Sequence, residues 1–355
     1  MSEPSRYTVR GKLGSGTYGD IYECEDNNTH KIYVMKKLKG TSRFEHLLRE
    51  IGTMQKLSNK HPNIVKLVDV TGNASPEMVM EKVPLTLLQF IGCFASLGRV
   101  PLPYIRRIVR DLCRVCSFIH SRRIMHRDLK PENILIAIQD HEGNNVFDDT
   151  ASSKDVAIQL QDMHSAENAN KCPIVPVVKV CDFGMCRMIL PDDAAEAHQV
   201  RIPTPRATTM SYRAPEMMLG RPDYSPSVDV WSVGCILAEM ATFRILIEYT
   251  AMPNDQDGLD YGEGQWPNIV NLFTVIGSPT PEQWLAITVQ PLTGPISPEF
   301  PKFKPRLRQL LRGALPTILG GDGMDLLEKL LAMVPEKRIS AAEALQHPFL
   351  QGLDD

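Results

Sequence analysis

Residues 7 to 39 alternate between apolar and polar side chains, and glycines stand where the alternation breaks. This pattern is typical of β-strands joined by tight turns, so we predict several short strands in this segment. In the following segment, "FEHLLREIGTMQKL", the apolar residues recur at helical spacing. They are Phe44, Leu47, Leu48, Ile51, Met54 and Leu57. Two further strand-like segments follow, Ile64–Val70 and Met78–Met80.

After "EKVPL" the pattern becomes mainly helical. Two long segments are rich in apolar residues and are predicted to be mostly buried helices: "PYIRRIVRDLCRVCSFIH" and "SVDVWSVGCILAEMATF". We therefore predict an α+β fold with two lobes. Residues 1–83 are expected to form a small β-rich N-terminal lobe with one main helix, and residues 84–355 a larger, mostly helical C-terminal lobe.

Two segments interrupt this pattern. Residues 139–172 contain seven acids and two lysines, with many Asn, Ser and Ala residues and little periodicity. That composition predicts a mobile surface insertion, which a short turn could replace without loss of activity. Residues 249–268 are predicted to be a second loop, rich in Gly, Asp and Asn.

Composition narrows the class of protein. The chain of 355 residues is 43% hydrophobic and 23% charged, with a net charge of −3, which argues against broad nucleic-acid binding. No segment reaches the roughly 18 apolar residues of a membrane span, and we expect no membrane partner. The eight cysteines are scattered, and the close pair Cys113 and Cys116 has no second pair to complete a zinc site. We expect reduced thiols in a cytoplasmic or nuclear protein.

A glycine-rich loop lies between two strand-like runs, with Gly14, Gly16 and Gly19 in "GSGTYGDIY". Glycines let main-chain amides approach phosphate groups, but tight hairpins are also rich in glycine, so both interpretations stay open here. A dinucleotide-binding fold would need a helix directly after the glycines, whereas "DIYECE" continues as a strand. The Gly-Lys-Ser/Thr ending of a Walker loop is also missing.

Two charged residues stand at positions where burial would be costly without a partner. Lys36 ends an otherwise apolar strand, so its ammonium is expected to reach into a cleft. Glu50 lies in the predicted helix beside Ile51, and a lone buried acid there is unfavourable. We predict that Glu50 pairs with Lys36.

A polar loop, "IMHRDLKPENILI", is flanked on both sides by apolar runs that belong in a core. "CDFG" at Cys181–Gly184 and "APE" at Ala214–Glu216 follow it in order. With the glycine loop and the Lys36–Glu50 pair, this order resembles that of the eukaryotic protein kinases. The resemblance runs from about Tyr7 to Phe349, nearly the whole chain.

The resemblance implies a chemical role for each matching residue in transfer of the ATP γ-phosphate to a protein Ser/Thr hydroxyl. Asp128 matches the residue that accepts the hydroxyl proton, and Lys130 the residue that contacts the γ-phosphate. Asn133 and Asp182 match the Mg²⁺ ligands. Lys36, held by Glu50, matches the lysine that binds the α- and β-phosphates. The implied ATP-binding residues are Leu13, Gly14, Ser15, Gly16, Thr17, Tyr18, Gly19, Ile21, Val34, Lys36, Met80, Glu81, Val83 and Leu135.

Structural and regulatory roles are implied in the same way. Glu216 is expected to pair with Arg338, and Asp229 to brace the catalytic loop. Thr204 matches an activating phosphothreonine, clamped by Arg49, Arg127 and Arg187. Thr17 and Tyr18 match inhibitory phosphorylation sites. Arg213 matches a residue that favours proline after the acceptor, and Thr209 a structural threonine of the substrate-binding region.

Within the kinases, "HPNIVKLVDV", "GTYG", "SYRAPEMMLG" and "KRISAAEALQHPFL" resemble the cyclin-dependent branch of the CMGC group. Protein substrates and a cyclin-like activating subunit are the implied partners, although "RFEHLLRE" replaces the cyclin-reading helix sequence of that branch. Ser211 and Val34 also depart from it. The alternatives are a mitogen-activated-type kinase, which would need a Thr-x-Tyr pair, a pseudokinase scaffold, which would lack the catalytic residues, and a small-molecule kinase.

Overall fold

The computed structural model describes residues 5–15, 19–38, 44–72, 76–163, 174–189, 210–221, 223–249, 266–288, 302–312 and 319–353. The chain forms two compact units. Unit 1 consists of Met1–Ser96 and Pro131–Cys186, and unit 2 of Leu97–Lys130 and Arg187–Asp355. Among the helices in the described ranges, none combines the length and apolar character that a bilayer crossing requires.

Unit 1 contains a five-stranded antiparallel sheet in the order β1-β2-β3-β5-β4. Its strands are β1 (Tyr7–Ser15), β2 (Gly19–Asp26), β3 (Ile32–Leu38), β4 (Leu67–Thr71) and β5 (Glu77–Glu81). Alternating residues of this sheet meet in a buried cluster: Tyr7, Cys24, Met35 and Val79. The strands predicted between residues 7 and 39 are confirmed, and the two later strands are shifted by a few residues.

Helix α1 (Phe44–Leu57) coincides with the predicted helix. Its buried apolar residues are Leu47, Ile51, Met54 and Leu57. Leu48, which the pattern grouped with them, is 45% exposed. The buried side also carries Glu50, so the packing of the apolar residues holds this acid inside unit 1.

A second sheet of unit 1 has the order β6-β8-β9. Its strands are β6 (Leu85–Thr86), β8 (Ile134–Gln139) and β9 (Val175–Val180), and helix α2 (Leu87–Gly92) follows β6. Because Ile64 also bridges to Val180, residues 131–186 group with the N-terminal residues. The lobe boundary after residue 83 stays a prediction, and the compact units divide the chain elsewhere.

The described part of the insertion is folded, which corrects the prediction of a mobile excursion. It contains helix α4 (Ser153–Met163), which packs against β6. Val156 and Leu160 of this helix are completely buried. Two apolar residues four positions apart lie on one helix face, and that short signal was hidden among acids and amides. Residues 164–172 of the insertion lie outside the described residues.

Unit 2 is mainly helical. Its described helices are α3 (Leu102–His120), α5 (Pro215–Met218), α6 (Ser227–Thr242), α7 (Trp266–Ile276), α8 (Pro281–Ile287), α9 (Leu307–Arg312), α10 (Gly320–Leu330) and α11 (Ala341–Ala344). The two predicted buried helices are confirmed as α3 and α6, which pack against each other. Strands β7 (Ile124–Met125) and β10 (Arg187–Met188) form a small antiparallel pair. The predicted loop at residues 249–268 lies largely outside the described residues.

Candidate functional site

A cavity of about 530 Å³ lies within unit 1, in the size range of about 300–1,000 Å³ that is typical of small-molecule sites. Ten of the predicted ATP-binding residues line it: Leu13, Gly14, Ser15, Ile21, Val34, Lys36, Met80, Glu81, Val83 and Leu135. Gly19 is absent from this lining. It begins β2, where an added Cβ would lie 2.5 Å from the Lys37 carbonyl oxygen. Gly16, Thr17 and Tyr18 lie outside the described residues.

One wall of the cavity is the segment that connects β5 to β6. The Glu81 amide donates a hydrogen bond to the Lys66 carbonyl (3.0 Å), and the Glu81 carboxylate accepts one from the Lys66 amide (2.7 Å). The same carboxylate pairs with the Lys179 ammonium at 3.0 Å. These contacts hold residues 81–83 in a fixed position, where their main-chain groups can meet the edge of a planar base.

Lys36, Glu50 and Asp182 form an ion triad at the cavity. The Lys36 ammonium lies 2.8 and 2.7 Å from the two Glu50 oxygens and 3.1 Å from Asp182 Oδ1. Burial alone would lower the pKa of Lys36, but the Asp182 and Glu50 carboxylates raise it, so this lysine stays charged. Burial raises the pKa of Glu50, and Lys36 opposes that shift. The predicted Lys36–Glu50 pair is confirmed, with Asp182 as a third member.

Asp182 and Asn133 bring two oxygen-bearing side chains to the same cavity. Asp182 has a φ of 61°, a left-handed conformation that is uncommon for a residue other than glycine. The preceding residue is anchored, since the Cys181 amide donates to the Asn133 carbonyl at 3.0 Å. Mg²⁺ is typically held by one or two carboxylates together with substrate phosphates, so this donor set fits Mg²⁺.

The first part of the polar loop, from the end of β7 to Lys130, belongs to unit 2. Asp128 is 6% exposed, and the Lys130 ammonium lies 3.0 Å from its Oδ2. The buried Asp229 of α6 accepts hydrogen bonds from the His126 amide (2.9 Å) and the Arg127 amide (2.8 Å). The predicted bracing role of Asp229 is confirmed, and it supports Arg127 in a left-handed conformation with φ 70°.

Asp229 also has a partner from α3. His120 Nε2 lies 2.8 Å from Asp229 Oδ2. Burial by itself would raise the pKa of Asp229, but the hydrogen bond and charge of His120 lower it below the usual value. The carboxylate is therefore ionised inside unit 2.

The arginines of the predicted clamp are found in both units. Arg127 and Arg187 of unit 2 lie against the same aromatic ring, with their guanidinium carbons 5.6 and 5.8 Å from the Tyr224 centroid. Arg49 is an exposed residue of α1 in unit 1. Thr204 lies outside the described residues.

The predicted pair of Glu216 and Arg338 is confirmed in unit 2. Both side chains are fully buried, and two parallel hydrogen bonds of 2.8 and 3.1 Å join them. Arg213 is also buried, at 4% exposure, and its amide donates to the Met210 carbonyl. Thr209 lies outside the described residues.

Several residues of the cavity wall were missed in the sequence. Those with polar side chains are Glu23, Thr86, Gln89, Glu132, Ser152, Ser153 and Cys181. Thr86 and Gln89 form a capping box at the start of α2, a signal that the sequence does carry. Ser152 and Ser153 come from the insertion, and no local pattern connects them with residues far away in the chain.

Comparison with known proteins shows similarity over most of the chain. The protein kinase domain family matches residues 7–350. A curated relative, cyclin-dependent kinase B2-1 of Arabidopsis thaliana, is 30% identical, and the alignment covers 97% of this chain and 93% of that protein. The matched region includes the cavity, the ion triad and the polar loop.

Proposed function

The chain belongs to the protein kinase domain family and is similar to its cyclin-dependent kinases, and from that premise we propose that it transfers the ATP γ-phosphate to Ser/Thr hydroxyls of proteins. The observation that supports this most strongly is the ion triad of Lys36, Glu50 and Asp182, in which Lys36 and Glu50 are buried, in a cavity of nucleotide size. Burying these ions costs free energy, because each one loses its hydration. Such a group is weak evidence for a role in stability, and binding of a phosphate ligand is the role that it fits.

We assign the steps of transfer as follows. The substrate oxygen attacks the γ-phosphorus, the bond from phosphorus to the ADP oxygen breaks, and the hydroxyl proton passes to Asp128. Lys130 contacts the γ-phosphate, and Lys36 binds the α- and β-phosphates. Asn133 and Asp182 would hold Mg²⁺, which neutralises charge on the phosphate oxygens when bound. Residues 81–83 bind the adenine edge through main-chain groups.

The test is a phosphoryl-transfer assay with purified protein, Mg²⁺-ATP and peptides that carry Ser, Thr or Tyr as the only acceptor. We expect transfer to Ser and Thr and none to Tyr. Asp128→Asn, an isosteric change, should reduce turnover on the order of 100-fold or more, because proton transfer by a positioned base contributes about that much. Wild-type turnover in this variant would contradict the assignment.

We also propose that a proline follows the acceptor. Arg213 is buried within unit 2, which fits a residue tied up in the loop beside the acceptor rather than one that faces solvent. Proline has no amide N–H and so fits a site where no main-chain acceptor is available. A peptide library with no enrichment of proline after the acceptor would contradict this specificity.

Activation by phosphorylation of Thr204 is proposed on the charge of the clamp. Arg127 and Arg187 approach one Tyr224 ring, so a phosphate placed beside that ring would be attracted by two guanidinium groups. Phosphothreonine supplies about −1.5 to −2 charges and can form new bonds to arginine. Thr204→Ala and Arg127→Ala should then reduce activity non-additively in a double-mutant cycle. Additive losses would contradict a shared contact.

Three further assignments follow from the same kinase premise. Phosphorylation of Thr17 or Tyr18 would inhibit, because its charge is repelled by the ATP phosphates. A cyclin-like subunit is the proposed activating partner, and co-purification from source cells would test it. The cytosol or nucleus is the proposed compartment, and the free cysteines of the described residues fit a reducing environment.

A further inference from the structure

We propose that the inserted segment, Asp140–Met163, completes the nucleotide pocket and that Ser152 limits its width at the nucleoside end. The inference rests on the proposed binding of ATP. Ser152 and Ser153 line the same cavity as Lys36 and Asp182, although they belong to a segment that the rest of the fold does not need for its sheets. They thereby add a wall to the pocket that the kinase motifs do not predict.

The segment is attached to strand β3 on one side of Ser152 and to the pocket wall on the other. On one side, the Asp149 carboxylate accepts a hydrogen bond from the Ile32 amide of β3, at 3.3 Å. On the other side, the Ser153 hydroxyl donates to the Pro84 carbonyl at 2.6 Å. Pro84 directly follows Val83, so this bond joins the insertion to the segment proposed to bind adenine.

Local contacts and packing keep Ser152 from moving aside. The Asp148 carboxylate accepts hydrogen bonds from the Thr150 and Ala151 amides, at 2.9 and 3.0 Å, which fixes the turn before it. After it, Val156 and Leu160 anchor α4 in the core of unit 1. A wall fixed in this way resists a bulky ligand, whereas a mobile loop would yield to it.

The position of Ser152 indicates which part of the nucleotide it meets. The phosphates are assigned to Lys36 and Asp182, and the base to residues 81–83. Ser153 bonds to Pro84, just beyond the base-binding segment, so its neighbour Ser152 faces the nucleoside and not the phosphates. A side chain larger than serine at this position should obstruct nucleotide entry without disturbing the transfer step.

Ser152 is also the N-cap of α4, and the test has to separate that role from its place in the pocket. Its hydroxyl accepts the Asp155 amide (3.2 Å) and donates to the Asp155 carboxylate (2.6 Å). Ser152→Ala removes the cap without adding bulk, and Ser152→Tyr removes the cap and adds bulk. Gln161→Tyr adds the same bulk at an exposed position of α4 that does not line the cavity.

The experiment measures the dissociation constant of Mg²⁺-ATP by calorimetry, and KM and kcat with a peptide substrate, for the wild type and the three variants. We expect Ser152→Tyr to weaken ATP binding and raise KM on the order of tenfold, or about 1.4 kcal/mol, with kcat unchanged. Gln161→Tyr should match the wild type in both constants, and Ser152→Ala should weaken ATP binding less than Ser152→Tyr does.

Three outcomes would overturn the inference. Equal ATP affinity in Ser152→Tyr and the wild type would exclude a wall at Ser152 while leaving the proposed function intact. A weakening in Ser152→Ala equal to that in Ser152→Tyr would assign the effect to the lost cap. A wild-type protein that does not bind Mg²⁺-ATP would refute the inference together with the proposed function.

Discussion

Lys36 is held between two carboxylates inside unit 1, and this arrangement determines what its removal does. Lys36→Met should abolish phosphoryl transfer and leave the Glu50 carboxylate buried without its cation. Breaking a buried ion pair in this way costs about 3–5 kcal/mol of unfolding free energy. Lys37→Met is the matched control, since Lys37 pairs with Glu77 in a partly exposed bridge whose loss should cost less than about 1 kcal/mol.

The deficit of Lys36→Met should also depend on pH. Burial raises the pKa of Glu50 above its unfolded value, and removal of Lys36 takes away the opposing charge. The folded pKa of Glu50 is therefore higher in the variant than in the wild type, and protonation of Glu50 stabilises the variant more. The difference in unfolding free energy between the two proteins should shrink as the pH falls from 8 to 5. Urea denaturation of both proteins across this range measures it. A constant deficit would contradict the buried acid.

Asp229 gives a second prediction at single-residue scale, with the opposite sign. Its folded pKa is lowered, so its stabilising effect is present above the unfolded value and is lost as the pH falls through the lower folded value. Asp229→Asn keeps the shape of the side chain, but its NH2 group would face one of the two main-chain amides that donate to Asp229. That amide loses its acceptor, at a cost of about 1–3 kcal/mol of unfolding free energy. The difference in unfolding free energy between Asp229→Asn and the wild type should be constant from pH 7 to 5. It should become smaller as the pH falls below about 4.

The control for this comparison is Asp223→Asn, because Asp223 is half exposed and binds the nearby Arg221. We expect its effect on unfolding to be within about 0.5 kcal/mol at every pH. If the difference between Asp229→Asn and the wild type stays constant as the pH falls far below the unfolded pKa of Asp, the charge of Asp229 does not carry its role.

Single residues were predictable where the sequence showed an unfavourable position. Lys36 at the end of an apolar strand and Glu50 on a buried helix face each required a partner, and the structure pairs them. The third member, Asp182, came only from a motif, because nothing local in the chain indicates a contact across 146 positions. Ser152 had neither signal and was missed.

At the scale of elements, α4 is where the sequence prediction was wrong, and its two buried residues supply the test. Leu160→Ala should lower the unfolding free energy by about 2–5 kcal/mol, since Leu160 is fully buried. Ile158→Ala on the same helix is the control, because Ile158 is 46% exposed and its loss should cost about 0.5 kcal/mol or less. Equal losses of unfolding free energy in the two variants, measured by denaturant titration, would support the prediction that this segment is a loose surface loop.

Long elements were predicted well because their periodic signal repeats over several turns. Helices α3 and α6 match their predicted limits to within one residue. Helix α4 offers only Val156 and Leu160 as buried apolar positions, and the polar residues around them give the composition of a loop. Its helical state is therefore stabilised mainly by tertiary packing, which the local pattern does not contain.

At the scale of the whole molecule, the order of the motifs predicted the two-lobed kinase fold, and the family match over residues 7–350 confirms it. The grouping of residues 131–186 with the N-terminal part was not predicted. It depends on pairings such as Ile64 with Val180, between segments more than a hundred positions apart. Periodicity describes what one segment can form, whereas strand pairing depends on which distant segment lies beside it.

Glu216 and Arg338 join distant parts of unit 2, being 122 positions apart, and they give the last prediction. Arg338 also donates to the Ala332 and Ser227 carbonyls, so its guanidinium is fully engaged in a buried site. Glu216→Gln would place an uncharged amide against this cation and should lower the unfolding free energy by about 3–5 kcal/mol.

Glu328→Gln is the matched control, because it breaks the exposed Arg308–Glu328 pair and should cost only about 0–1 kcal/mol. Equal losses of the two variants in denaturant titrations would show that burial of the Glu216–Arg338 pair does not set its contribution to stability.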